Sequence, residues 1–151
     1  MEGVPDQAVI SVTTANLEDA RLELNRRCDA IEECYEFMLA YAGQGLAGED
    51  SGGKSAQIRE FLTRCDQALQ GLADFLSGFV KKLDIDAKPY AAFMAVIDRD
   101  ARDSQAAVQL VLAQPSISSQ LVDNLNASIH IRALLTDLFL IDEVFKTYRR
   151  S

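Results

Sequence analysis

The stretch IREFLTRCDQALQGLADFLSGFVKKL, residues 58–83, decides the fold. Apolar side chains fall at Ile58, Phe61/Leu62, Cys65, Ala68/Leu69, Leu72, Phe75/Leu76, Phe79/Val80 and Leu83. Steps of three and four keep them on one side of a helix, and the doubled positions make the stripe broad. A two-stranded coil needs only a narrow seam, so this width predicts a helix buried against several others.

Upstream, residues 43–54 hold five of the eight glycines together with Glu49 and Asp50 and predict a flexible, exposed loop. Before it, Asn16 is a suitable N-cap, and Glu18 and Asp19 suit the positive end of a helix dipole. The stripe Leu17, Ala20, Leu24, Cys28, Ile31, Cys34/Tyr35, Met38, Ala42 predicts a first helix that Gly43 and Gly45 stop. Residues 1–15 are expected to form a short extended N-terminal arm, since Ala8 to Thr14 is rich in β-branched side chains.

Downstream, Pro89 suits the first turn of a third helix reading Tyr90, Phe93, Ile97, Ala101, Ser104, Val108, Val111. Pro115-Ser116 separates it from a fourth, capped by Ser116 or Ser118. Short links favour antiparallel neighbours. The expected fold is all-α: an antiparallel up-down-up-down four-helix bundle over residues 16–151, following the arm. Leu134, Leu138, Ile141 and Phe145 make one apolar face of the fourth helix, while Ala133, Leu140 and Val144 lie on another. A helix apolar on two sides predicts a second interface, so a homodimer is expected through Leu134, Leu138, Leu140 and Val144.

At 151 residues with 48% apolar and 25% charged side chains, the chain is long enough for one domain with a core of its own. No run approaches the ~18 apolar residues of a membrane span. The acidic start lacks the basic region of a signal peptide, and three irregularly spaced cysteines make no secreted disulfide framework. A cytoplasmic location is expected. The net charge of −8 opposes nucleic acid and anionic membranes and favours a protein partner with a basic surface. Glu32, Glu33 and Glu36 beside Tyr35 offer such a partner a cluster of carboxylates; otherwise they form a solvated helix face.

Several motifs carry more specific chemistry. Gly48, Gly53, Lys54 and Ser55 match the spacing of a phosphate-binding loop, and Leu138 to Glu143 resembles the acidic strand that accompanies it. That chemistry needs a loop leaving a buried parallel strand, whereas a helical run precedes this one. Glu49 and Asp50 would also oppose a polyanion. The match is read as chance, and a nucleotide-dependent enzyme ranks third among the functions considered.

A lone His130 without Glu-x-x-His pairs excludes a di-iron centre, so neither metal nor cofactor is expected. His130 with Arg132 and Ala133 resembles a phosphotransfer site only weakly, because the lysine-glycine pair of such modules is missing. Folding the first helix back on the second brings Cys34 level with Cys65, as two small buried hydrophobes or a redox-sensitive pair. The same bookkeeping puts Arg27, Asp100 and His130 at one height, a candidate polar layer or ligand site. The leading expectation is a non-enzymatic interaction module: an adaptor, assembly factor or regulator. A small-molecule-binding or phosphotransfer bundle using His130 or the polar layer is the alternative.

Overall fold

A computed structural model of the chain describes residues 6–48 and 53–149, with side chains for 17–48 and 53–148. All regular structure among the described residues is helical: α1 (Asp6–Ala42), α2 (Lys54–Leu69), α3 (Leu72–Lys82), α4 (Lys88–Leu112), α5 (Ser119–Ala127) and α6 (His130–Arg149). Six helices therefore stand where four were expected.

The first difference lies at the N-terminus. The extended arm expected over residues 1–15 is helical from Asp6 onward, and residues 1–5 lie outside the described residues. A strand without a sheet leaves its backbone N–H and C=O groups unpaired, whereas a helix pairs them internally. Against that, a β-branched residue in a helix costs well under about 1 kcal/mol.

The second and third differences are breaks. Gln70 is extended (φ −64°, ψ 119°) and Gly71 is left-handed (φ 65°), which parts α2 from α3. The buried positions Ile58, Leu62, Cys65, Leu69, Leu72, Leu76 and Phe79 nevertheless keep helical spacing across the gap. The break thus leaves the apolar stripe in phase, and periodicity does not reveal it. Between α5 and α6, Ile129 is left-handed (φ 64°), a conformation in which a β-branched residue is strained.

Contacts in opposing numerical order show how the helices pack. Phe37 stacks on Phe61 (4.5 Å), Cys34 meets Cys65, Arg27 reaches the Ala68 carbonyl and Arg21 lies over Phe79. α1 is therefore antiparallel to both α2 and α3. Arg59 donates to the Leu112 carbonyl and Gln105 to that of Asp66, so α4 is antiparallel to α2. Tyr90 meets Tyr148 and Asp100 meets Asp137, which makes α6 antiparallel to α4; α6 also packs on α1. One buried cluster, from Ala20 to Phe145, fills the space between. Ala101 and Ser104 sit on its inner line, where small side chains let α4 approach its neighbours closely.

The end of α1 is pinned to the start of α5. The buried Tyr41 hydroxyl donates to the Ile117 carbonyl, and the Ser119 hydroxyl donates to that of Tyr41. Leu46 and Ser119 exchange two further bonds, Leu46 N–H to Ser119 Oγ and Ser119 N–H to the Leu46 carbonyl. The described part of the loop is thus docked, unlike the flexible segment expected. At Gly48, a Cβ would come within 2.7 Å of Ser116 Oγ and 2.8 Å of the Ile117 carbonyl carbon, so only glycine fits this approach.

Candidate interaction groove

Two helices supply matching sets beside their core lines. On α1, Glu32, Tyr35, Glu36 and Leu39 flank the buried Ile31, Cys34 and Met38 at i, i+3, i+4 and i+7. On α6, Arg132, Leu135, Thr136 and Phe139 repeat that spacing beside Ile131, Leu134 and Leu138. Because α1 and α6 are antiparallel neighbours, the two sets face one another across a groove of about 290 Å3. Leu39 is 48% exposed and Phe139 55%, so large apolar side chains stand at the groove's lip.

The α1 side is acidic and unneutralised. No cation among the described residues ion-pairs with Asp29, Glu32 or Glu36, whereas Asp142 on α6 has Lys146 at 3.6 Å. Burial, then the charges of Asp29, Glu36 and Asp142, raise the Glu32 carboxyl above its usual range. Cys28, half-buried nearby, is pushed up to about 12 by burial, then by Asp142, Glu32 and Asp29. Two groups of different chemistry thus sense the same negative potential. Cys28 is held as a thiol and is a poor nucleophile.

Compared with known proteins, the chain matches no family model, no curated protein and no solved structure. Its function must be argued from its own residues.

The dimer face expected from sequence needs correction. Leu134 is fully buried and Leu138 is 1% exposed, because both lie on the inner line of α6 with Ile131, Ile141 and Phe145. Leu140, 56% exposed, and the half-buried Val144 remain at the surface. Phe139 was missed. Its signal was present in the sequence, since it stands one residue out of phase with the core line.

The expected polar layer is not assembled either. Arg27 pairs with Glu23 at 2.9 Å, donates to the carbonyls of Ala68 (3.1 Å) and Gln70 (2.8 Å), and lies over the Phe75 ring. It caps the carbonyl end of α2 at the break. Asp100 instead meets Asp137 across the α4–α6 seam. Burial, followed by the hydrogen bond to Asp100 and its charge, lifts the Asp137 carboxyl to about 7, and its Oδ2 is buried without a donor. Protonated, the Asp137 carboxyl donates toward Asp100, which relieves the repulsion between them. His130 is half-buried at the first position of α6. Among the described residues, no hydrogen bond or ion pair joins these three.

The thiols do meet. Cys34 and Cys65 are both free and fully buried, and the hydrogen bond the Cys65 thiol donates to Cys34, followed by burial, raises the Cys65 thiol well above its usual value. Cys65 is held protonated, and burial keeps both sulfurs from solvent. In the phosphate-loop match, Gly48 packs on the α4–α5 link and Gly53 (φ 84°) precedes α2. The Ser55 hydroxyl donates to the Gly48 carbonyl at 3.1 Å, and Lys54 is exposed. Residues 49–52 lie outside the described residues. A helix precedes the loop, and Leu138 to Glu143 belong to α6, so neither strand of a nucleotide fold is present there.

Proposed function

We propose that this chain is a non-enzymatic interaction module whose α1–α6 groove docks a basic amphipathic helix of a protein partner. The six helices act as four antiparallel rods in an up-down-up-down bundle, with α2–α3 and α5–α6 each forming one broken rod. What carries the reading is the juxtaposition of exposed Leu39 and Phe139 with the carboxylates of Glu32 and Glu36, which outnumber the one cation of the lining, Arg132. An apolar lip supplies affinity, roughly 1 kcal/mol for each half-exposed side chain covered. The acidic rim supplies approach rate and partner choice. A second copy of this chain suits the groove less well, because it brings the same net charge of −8.

The test uses a fluorescent amphipathic peptide of leucine and lysine and follows its anisotropy on titration with the protein. Saturable binding is expected, weakened at least tenfold by Phe139→Glu and weakened by raised salt. Glu32→Gln with Glu36→Gln is expected to lower the salt dependence. Binding that ignores Phe139→Glu would remove the groove as the site. Sedimentation equilibrium on the protein alone reads the alternative, since a stable dimer abolished by Phe139→Glu would make a second copy the occupant.

A further inference from the structure

A second trough, of about 300 Å3, runs between α1 and α2 and differs in charge. Arg26, Arg27 and Arg64 line it with a single carboxylate, Glu23, over a floor of Ala30 and Ala68. Glu23 is divided between two guanidiniums: Oε1 takes Arg26 at 2.8 Å and Oε2 takes Arg27 at 2.9 Å. Arg64 pairs with Glu60, outside the lining, and lies over the Phe61 ring. Even counting Glu60, cations outnumber anions here, on a chain of net charge −8.

Two of the three guanidiniums are also preorganised. Arg27 is fixed by two backbone carbonyls and the Phe75 face, and Arg64 is oriented by Phe61. A guanidinium carries five N–H donors in a plane suited to carboxylates. Arg26 and Arg64 each spend one such bond on a glutamate, so donors remain for a ligand. Two alanines on facing helices leave room for a side chain to descend between them. Glu33 and Glu36 line the α1–α2 surface further along, which limits the cationic reach to Glu23–Ala30. That is about two turns of helix, or roughly 10 Å.

We infer that this trough is a second docking site, which takes a short acidic peptide segment of a protein partner. With the acidic groove on the α6 side of α1, it makes the chain a bridge between a basic and an acidic partner. Repulsion from the net charge is screened beyond about 8 Å at physiological salt, so the local guanidiniums decide the encounter.

The test is anisotropy of a labelled peptide with four glutamates among alanines, set against its glutamine analogue. The glutamate peptide is expected to bind at least tenfold more tightly than the analogue, and Arg26→Glu with Arg64→Glu to weaken it at least tenfold. Both arginines are exposed, so the variant is expected to keep the parent's thermal melt, and Arg26→Gln with Arg64→Gln provides a milder second variant. Phe139→Glu is expected to leave this peptide within twofold, which separates the trough from the α1–α6 groove. Absence of saturable binding, or binding indifferent to both arginine pairs, would overturn the inference. So would displacement by millimolar inorganic phosphate as effective as that by unlabelled peptide, which would mark a small-anion site.

Discussion

The two helix breaks, between α2 and α3 and between α5 and α6, solve one problem by different means. At Gln70–Gly71 the left-handed residue is a glycine, and a Cβ there would meet nothing within 4 Å. The break is braced from both sides: Arg27 of α1 takes the Ala68 and Gln70 carbonyls, and Gln105 of α4 binds the Asp66 carbonyl and the Gln70 side chain. At Ser128–Ile129 the left-handed residue is a β-branched isoleucine, 51% exposed, and its hydrogen bonds are local ones to Asn126 and Ala133. The α2–α3 break is unstrained and tied to its neighbours. The α5–α6 break stores strain and is held by its own turn.

Removing the brace gives the largest expected effect. Arg27→Ala takes away hydrogen bonds from a charged donor to two carbonyls and a ring contact at a half-buried site. A loss of about 2–3 kcal/mol in unfolding free energy is expected, read from urea denaturation. A loss below about 0.5 kcal/mol would mean that the glycine alone sets the break.

Exchanging the residues sharpens the contrast further, because the two breaks should answer with opposite signs. Gly71→Ala forces a side chain into the left-handed region and is expected to destabilise by about 1–2 kcal/mol. Ile129→Asn puts a residue that tolerates this conformation at an exposed site, so it is expected to stabilise by about 0.5–1 kcal/mol. Thermal melts of the two variants decide it. A destabilised Ile129→Asn would show that the isoleucine side chain earns its place through contacts.

These breaks explain how much of the molecule was legible in the sequence. The 58–83 stripe announced helix, and its buried positions are helical as read. Gly71 stood in that stripe as a warning, but an unbroken phase of apolar residues outweighs one glycine. Nothing at Ile129 signals a left-handed residue, since β-branched side chains avoid that region. Pairings within neighbouring helices were accessible by counting back from the loop, and so Cys34 was placed beside Cys65. The level of His130 is misjudged by counting: Asp100 meets Asp137, seven residues and about two turns further along α6, because the breaks in the chain shift the register that a continuous fourth helix would have. Leu134 and Leu138 share a face with Ile141 and Phe145 as the spacing indicates, but the core takes that face, and Phe139, about 100° away from Leu138 on α6, stands outside it.

The last contrast lies in what anchors α2 and α6 to α4. Gln105 and Gln109 of α4 hold α2 by neutral donors, to the Asp66 carbonyl and carboxylate. Between α6 and α4 stand Asp137 and Asp100, and that contact depends on a proton. The Asp137 carboxyl is raised to about 7 in the fold, chiefly by burial, so the folded chain holds a proton that the unfolded chain releases at lower pH. Its contribution is complete below the ordinary carboxyl range and is lost as pH rises through about 7. Asp137→Asn keeps the shape and a donor toward Asp100 but removes the ionisation. Because solvent reaches this seam, the gain is expected to be only about 1 kcal/mol at pH 8, vanishing near pH 4. Denaturation of parent and variant at both pH values measures it. Equal differences at the two would remove the proton-dependent contact, and with it this distinction between α2 and α6.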